Sequence, residues 1–230
     1  MKIFMDSADL SDMRAARNVG IDGFTTNPTL ARKAGVTDYL AWARDVVQAV
    51  PDRPVSLEVF ADDAPEMERQ AKILAALGPN VYVKIPITNT RGESSAGVVW
   101  RLTGWGVKVN VTAVFTEAQL RMLHVALADD VPAIVSVFAG RIADTGRDPA
   151  RVVATAVARF ADLPNVQVLW ASTREALNIE QARAAGAHII TVPPDLLQRV
   201  ADLDGKDLDA FSLETVQMFA RDAAAAGFVL

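Results

Sequence analysis

The chain alternates short β-type runs with stretches of helical periodicity. Eight runs rich in β-branched and aromatic residues are separated by segments in which apolar residues recur every three or four positions. This alternation is typical of a parallel sheet covered by helices. The predicted strands are 2–5, 23–26, 55–59, 81–85, 107–111, 133–137, 166–170 and 188–192. The predicted helices lie near 8–18, 37–49, 64–77, 92–104, 117–128, 149–160, 174–185, 194–202 and 212–226.

Glycines at the ends of the predicted helices support this division of the chain. Gly20, Gly78, Gly106 and Gly186 each stand just before a strand, where a left-handed helix cap is favoured. Eight units and a tail predict an α/β fold, a single (β/α)8 TIM barrel over residues 1–230 with an extra C-terminal helix near 212–226. The alternative is an open doubly wound sheet, which would call for a phosphate-binding GxGxxG loop, and the sequence has none.

Composition narrows the classes of function. The 230 residues carry a net charge of −5, which argues against a nucleic-acid partner, because such surfaces need an excess of Lys and Arg. The absence of cysteine excludes thiolate nucleophiles and Cys-ligated metals. The N-terminal residues lack the apolar stretch of a signal peptide, and no segment approaches 18 uninterrupted apolar residues. We therefore expect a cytoplasmic protein that does not span a membrane.

Polar residues lie at or just past the carboxyl end of seven predicted strands. In a closed barrel these ends converge on one mouth, so the residues are expected to line one pocket. Burying so many polar groups costs several kcal/mol unless they satisfy one another, which makes a purely structural origin improbable. The residues are Asp6, Thr26 with Asn27, Glu58, Lys84, Asn110 with Thr112, Ser136, and Ser172 with Arg174.

Each of these residues also has a structural interpretation. Asp6 could cap the first helix, and Asn27 precedes proline in a common turn dipeptide. Ser172 could cap a helix that begins at Arg174. Glu58 and Lys84 could form an ion pair between neighbouring strands.

Lys84 is the strongest candidate nucleophile. The two histidines, His124 and His188, are not at the carboxyl end of a strand, so neither a three-histidine metal site nor a Ser-His-Asp triad is expected. Lys84 lies in the apolar run VYVKIP, where loss of hydration favours a free amine that can form an imine with a ketone. Asp6 and Glu58 could share the proton transfers. Lys108 is a competitor, but we expect it to lie deeper, toward the closed end of the barrel.

Two arginines predict an anion site. Arg141 follows the run SVFAG, and Arg174 is expected to open a helix just after Ser172. A guanidinium beside a helix N-terminus suits a phosphate or a sulfonate. For Arg141 the alternative is a salt bridge with Asp144 or Asp148.

The sequence closely resembles the small-subunit branch of the transaldolase family over essentially its whole length. The stretches that match, in order, are FMDSAD (4–9), TTNPTL (25–30), SLEV (56–59), VKIP (83–86), NVTAVFT (110–116), SVFAGRI (136–142) and ASTRE (171–175). The resemblance implies a cofactor-independent and metal-independent class I mechanism, with the Schiff base on Lys84.

The resemblance also implies a role for each site residue. Asp6 would be the acid/base for cleavage of the C3–C4 bond, and Glu58 with Thr112 would hold a catalytic water. The substrate would be a sugar phosphate, bound by Thr26, Asn27, Asn110, Ser136, Phe138, Arg141, Ser172 and Arg174. Of these, Arg141, Ser172 and Arg174 would hold the phosphate. Family members of this length often form decamers in which the C-terminal helix packs on a neighbour. A homo-oligomer is therefore expected, although the apolar stripe of that helix could equally dock on its own barrel.

The implied activity is transfer of a dihydroxyacetone unit from a ketose phosphate to an aldose phosphate. The fructose 6-phosphate aldolases of the family have glutamine at the position of Glu58 and tyrosine at the position of Phe138. At both positions this chain resembles the transaldolases. Val137 departs from the proline that is usual there. The alternatives are a fructose 6-phosphate aldolase, a transaldolase acting on 6-deoxy-6-sulfofructose, a barrel that binds sugar phosphates without turnover, and an enediol isomerase.

Overall fold

The computed structural model describes residues 1–17 and 20–229, which alternate strands and helices throughout. The strands are β1 Lys2–Asp6, β2 Gly23–Thr25, β3 Val55–Glu58, β4 Val81–Pro86, β5 Val109–Val114, β6 Ala133–Val137, β7 Val166–Trp170 and β8 Ile189–Val192. The helices are α1 Leu10–Ala16, α2 Pro28–Lys33, α3 Tyr39–Ala49, α4 Ala64–Ala75, α5 Ala96–Gly104, α6 Glu117–Ala126, α7 Ala139–Ala143, α8 Pro149–Arg159, α9 Leu177–Ala184, α10 Pro194–Leu203 and α11 Leu208–Ala226.

The eight strands form a closed parallel barrel in chain order. Each strand pairs with the next, and β8 returns to pair with β1 through Lys2 and Ile189. The predicted (β/α)8 barrel is therefore confirmed, and the alternative of an open sheet is wrong. All eight predicted strands are present, although β5 begins two residues later than expected and runs on to Val114. The last residue of the predicted helix 8–18 lies outside the described residues.

Several helices differ from the sequence prediction. The helices α2 and α7 were not predicted, because six and five residues are too few to show a helical period. The helix predicted from Arg174 begins instead at Leu177, and the side chain of Asn178 accepts the backbone N–H groups of Arg174 and Glu175 ahead of it. Ser172 is therefore not a helix cap. The C-terminal helix starts four residues earlier than predicted, where Asp207 accepts the N–H of Ala210.

The helix α11 is unusual because none of its 19 residues is buried. Its apolar side chains include Leu213, Val216 and Phe219, all more than half exposed. The possibility that this stripe docks on its own barrel is wrong for the single chain. Among the described residues, no helix is both long and apolar enough to cross a bilayer.

The interior of the barrel is apolar below its mouth. Phe4, Ile134, Leu169 and Ile189 point inward and form a cluster separate from the larger core between the strands and the outer helices. Gly23 makes room for this cluster, because a Cβ at that position would lie 2.6 Å from the ring of Phe4. The apolar floor confines the polar side chains to the carboxyl end of the barrel.

We predict that Gly23→Ala lowers the free energy of unfolding by about 1–3 kcal/mol, because the ring of Phe4 must move within a packed interior. Denaturant unfolding measures this change. Gly104→Ala is the matched control, since no described atom lies within 4 Å of its added Cβ and helical alanine is favoured over glycine. Equal stability of the two variants would contradict the packing argument.

Candidate active site

A cavity of about 440 Å³ opens at the carboxyl ends of the strands. Its size is in the range usual for small-molecule sites. Thr26 and Asn110 are fully buried in the surrounding wall. The cavity is lined by the other ten residues singled out from the sequence: Asp6, Asn27, Glu58, Lys84, Thr112, Ser136, Phe138, Arg141, Ser172 and Arg174.

Lys84 and Glu58 form an ion pair within this cavity. Lys84 Nζ lies 3.1 Å from Glu58 Oε2 and donates a hydrogen bond of 2.7 Å to the carbonyl oxygen of Thr26. The two side chains are only 8% and 15% exposed. The strand register accounts for the contact, since Lys84 pairs with Glu58 on one side and with Asn110 on the other. The ion pair expected as a structural alternative is thus present, and its charged groups face the cavity.

Asp6 is the second carboxylate of the cavity. Thr25 Oγ1 donates to Asp6 Oδ1 at 2.7 Å. Burial raises the pKa of Asp6, and the nearby positive charge of Lys84 and the bond from Thr25 only partly oppose this effect. The first helix is capped by Asp9, whose side chain accepts the N–H groups of Ser11 and Asp12. The interpretation of Asp6 as a helix cap is therefore wrong.

A buried chain of polar side chains crosses the wall from β6 to β3. Ser136 Oγ donates to Asn110 Oδ1 at 2.7 Å, and Asn110 Nδ2 donates to Ser56 Oγ at 2.9 Å. Thr26 Oγ1 donates to the backbone carbonyl of Ser56. These bonds satisfy polar groups that would otherwise be costly to bury, and they fix the orientation of the Asn110 amide.

The hydroxyl of Thr112 is buried without a hydrogen-bond partner in the described part of the chain. Thr112 precedes Ala113, whose φ of 58° is rare for a residue with a side chain, and the register of β5 with β6 shifts at this point. Both features are common near functional sites. A buried hydroxyl that lines a cavity is available to a water or a substrate atom.

Asn27 combines a structural position with a place in the cavity. Its Oδ1 accepts the N–H of Leu30 and caps α2, which Pro28 opens. The turn predicted from Asn27-Pro28 is thus the start of a short helix. Because α2 begins directly after β2, this cap holds the Asn27 side chain at the mouth of the barrel.

The two arginines lie on neighbouring segments after β6 and β7. Arg141 belongs to α7, and Arg174 follows Ser172, whose φ of 64° is also rare. The segments touch at Gly140, where a Cβ would lie 1.6 Å from the carbonyl oxygen of Ser172. Only glycine allows this approach, which brings both guanidinium groups to one end of the cavity.

The expected salt bridge of Arg141 with Asp144 or Asp148 is not found among the described residues, and Asp144 pairs instead with Arg174 at 2.9 Å. The guanidinium of Arg141 lies 5.7 Å from the ring of Phe138. Arg174 stands three residues before α9, so its predicted place at the opening of that helix is wrong. Arg174 therefore lines the cavity from the segment between β7 and α9 rather than from a helix N-terminus.

The competing residues lie away from the cavity. Lys108 Nζ donates to the carbonyl of Pro79 below the barrel floor, as its place near the closed end predicted. His124 pairs with Asp162 on the surface, and His188 Nδ1 accepts the N–H of Val168 at the foot of β8. No cluster of three or more metal-ligating side chains occurs in residues 1–17 and 20–229.

Three residues at the site were not singled out from the sequence. Thr25 lines the cavity, and its register with Asp6 follows from strand alternation, which could have identified it. Thr191 at the end of β8 also lines the cavity. Tyr39 lies on a helix, and its hydroxyl oxygen accepts the N–H of Glu58 at 3.1 Å. Burial raises the pKa of Tyr39 to about 12, so it stays neutral, and no sequence pattern pointed to it.

The fold is a closed (β/α)8 barrel, and a buried lysine–carboxylate pair lies at its carboxyl mouth. Both features are found in barrel enzymes. The chain belongs to the transaldolase/fructose-6-phosphate aldolase family, whose model matches residues 3–229. A probable transaldolase of Herpetosiphon aurantiacus is 35% identical over 223 residues, covering 95% of this chain and 96% of the relative. A probable transaldolase of Exiguobacterium sibiricum is 37% identical over 201 residues, covering 86% and 89%.

Among solved structures, the 2,3-dimethylmalate lyase of the PEP mutase/isocitrate lyase superfamily superposes with a TM-score of 0.61. The two chains are 15% identical, and the match covers 97% of this chain and 83% of the other. At this identity the likeness concerns the fold alone. It agrees with the closed barrel found here.

We predict that Asp6→Asn stabilises the protein at neutral pH. The raised pKa of Asp6 means that the folded state binds this proton more tightly than the unfolded state, whose carboxyl titrates near 3.8. The contribution of the protonated Asp6 carboxyl to stability is therefore fully present below pH 3.8 and is lost as the pH rises through the raised pKa. The gain from Asp6→Asn should grow with pH in denaturant unfolding measured from acidic to neutral conditions.

Asp9→Asn is the control with the opposite sign. The hydrogen bonds from Ser11 lower the pKa of Asp9. The ionised Asp9 carboxylate therefore stabilises the fold at pH values above the ordinary pKa of aspartate, and this contribution is lost as the pH falls through the lowered pKa. A gain for Asp6→Asn that does not depend on pH would contradict the assignment of the shift to burial of the Asp6 carboxyl.

Proposed function

We propose that the protein is a class I transaldolase. It moves a dihydroxyacetone unit from a ketose phosphate, such as fructose 6-phosphate or sedoheptulose 7-phosphate, to an aldose phosphate through an imine on Lys84. The observation that carries this proposal is the buried amine of Lys84, held 3.1 Å from Glu58 in one cavity with Asp6 and two arginines. The names of the relatives, probable transaldolases, agree with it.

In the first step the amine of Lys84 attacks the ketone carbon C2. The amine must give up a proton to do so, and Glu58 accepts it across the 3.1 Å contact. The C2 oxygen takes up two protons from the nitrogen, one of them returned by Glu58, and leaves as water, so that a protonated imine forms. The hydroxyl of Thr112, which is buried and has no partner among the described residues, holds this water together with Glu58.

In the second step Asp6 removes the proton of the C4 hydroxyl. The electrons of the C3–C4 bond move into the protonated imine, the aldehyde leaves, and a neutral enamine remains on Lys84. A carboxyl whose pKa is raised by burial accepts a proton more readily than an exposed one, which suits this role. The acceptor aldehyde then reacts with the enamine, Asp6 returns the proton, and water releases the product from Lys84.

The remaining residues bind the sugar. Arg141, Ser172 and Arg174 hold the anionic tail, since two guanidinium groups at one end of the cavity suit a phosphate. Asn27 and Ser136 bind hydroxyls of the dihydroxyacetone unit. Asn110, for which the resemblance implies the same role, is fully buried and instead orients Ser136, whose hydroxyl it accepts. Thr26 contributes the carbonyl that orients Lys84, and Phe138 forms an apolar part of the wall.

Borohydride reduction in the presence of fructose 6-phosphate tests the proposal. We expect a stable adduct on the peptide that contains Lys84, detected by mass spectrometry, and none with Lys84→Met. Lys108→Met is the matched control and should still be trapped, because that lysine lies outside the cavity. Trapping that survives in Lys84→Met would contradict the proposal, as would a wild-type protein that gives no adduct with any ketose phosphate.

Transfer and simple cleavage are separated by the need for an acceptor. With fructose 6-phosphate alone a transaldolase releases little free dihydroxyacetone, whereas added erythrose 4-phosphate supports turnover. A protein that releases dihydroxyacetone equally in both assays would instead be a fructose 6-phosphate aldolase, the other activity in the family's name.

We predict that Arg141→Ala and Arg174→Ala each raise the KM for fructose 6-phosphate about 10- to 100-fold, the cost of one hydrogen bond to a charged group. The KM for unphosphorylated fructose should change little, because it lacks the tail. The same guanidinium pair would accept a sulfonate, so 6-deoxy-6-sulfofructose is compared as an alternative donor. An equal loss with both fructose and its phosphate would show that these arginines do not bind the tail.

We propose further that a second copy of the chain covers α11 and that the protein is a homo-oligomer. A helix of 19 residues with no buried side chain gains little from tertiary packing, and its apolar side chains form a patch that soluble monomers seldom expose. In sedimentation, Val216→Glu with Phe219→Glu should lower the mass, and Gln217→Glu should not. A monomeric wild-type protein would contradict this proposal.

A further inference from the structure

Two buried threonines, Thr25 and Thr191, extend from Asp6 along the cavity wall. Thr25 on β2 stands beside Asp6 in the strand register, and Thr191 on β8 stands beside Phe4 on the other side of β1. Thr25 Oγ1 lies 2.7 Å from Asp6 Oδ1 and 2.5 Å from Thr191 Oγ1. The three side chains therefore form a continuous line from β8 to the carboxylate.

The number of hydrogens fixes the direction of these bonds. A threonine hydroxyl has one proton to donate, and an ionised carboxylate can only accept. Thr25 uses its proton on Asp6, so the contact between the two hydroxyls requires Thr191 to donate to Thr25. The backbone carbonyl of Thr191 accepts the hydroxyl of Thr173 at 2.7 Å, which ties this end of β8 to the segment after β7.

We propose that Thr191 is a positioning residue for Asp6. Its hydroxyl donates to Thr25 and thereby directs the Thr25 proton at Asp6 Oδ1, leaving Oδ2 for the proton of the substrate hydroxyl. Hydrogen bonds in such a chain polarise one another, so the bond that Thr25 makes to the carboxylate is strengthened. This inference rests on the proposed function, in which Asp6 is the base that breaks the C–C bond.

The charges around Asp6 give the chain a measurable effect. Lys84 on β4 favours the ionised carboxylate, whereas Glu58 on β3 and burial oppose it. The hydroxyl chain acts in the same direction as Lys84. Without the hydroxyl chain the Asp6 carboxylate loses its orientation and keeps its proton up to a higher pH. Cleavage needs the ionised form, so as the pH falls the activity is lost at a higher pH than in the wild type.

The test compares Thr191→Val, Thr191→Ser and the wild-type protein in the acceptor-dependent assay. For Thr191→Val we expect the acid limb of kcat/KM to move up by about 0.5–1 pH unit, the equivalent of one hydrogen bond. The kcat should fall while the KM for fructose 6-phosphate changes little. Thr191→Ser keeps the hydroxyl and should restore the wild-type profile.

Borohydride trapping separates this inference from the proposed function. Imine formation depends on Lys84, so Thr191→Val should still be trapped, with a larger share of the uncleaved six-carbon adduct relative to the three-carbon adduct than in the wild type. If the wild-type protein gives no adduct, the proposed function fails. If it does, and the acid limb and adduct ratio of Thr191→Val equal those of the wild type, only the inference about Thr191 fails.

Two further variants complete the test. Thr191→Ala removes the hydroxyl without placing a methyl group against Thr25, and it decides the question in the same way if Thr191→Val does not fold. Thr103→Val removes another buried threonine hydroxyl, which bonds only to backbone carbonyls of α5 and α6. Its pH profile should match the wild type, and a shift equal to that of Thr191→Val would overturn the inference.

Discussion

The site depends on one buried ion pair, in which the amine of Lys84 lies between the carboxylate of Glu58 and the carbonyl of Thr26. Such a pair is costly to bury unless further hydrogen bonds satisfy its charged groups, and the carbonyl of Thr26 supplies one of these bonds. An apolar floor of Phe4, Ile134, Leu169 and Ile189 lies below the pair. Above it lies the cavity, whose mixed lining includes polar residues such as Asp6 and Ser136.

The strand register distributes the other chemical groups around this pair. Neighbouring parallel strands place Glu58, Lys84 and Asn110 side by side, while Asp6 and Thr25 share a level on β1 and β2. The short helix α7 and the segment after β7 meet through Gly140 and bring the arginines to one end. The amine, the two carboxylates and the two arginines thus come from different strands or from the segments that follow them, as is usual for enzymes built on this fold.

The barrel and most of its site could be predicted from the sequence, because alternation within a strand and the convergence of strand ends are strict geometric consequences. Lys84, Glu58 and Asp6 were identified for this reason. Contacts that depend on side-chain direction could not be read in the same way. Arg174 rather than Arg141 pairs with Asp144, and Tyr39 reaches Glu58 from a helix. The short helices α2 and α7 and the late start of α9 depend on local caps such as Asn27 and Asn178, which override the apolar period.

A crystal structure of the protein after exposure to fructose 6-phosphate tests the covalent role of Lys84 directly. We expect continuous density between Lys84 Nζ and C2 of the sugar, with the phosphate beside Arg141 and Arg174 and with Asp6 within hydrogen-bond distance of the C4 hydroxyl. A sugar bound without a covalent bond at full occupancy, or one attached to another lysine, would contradict it.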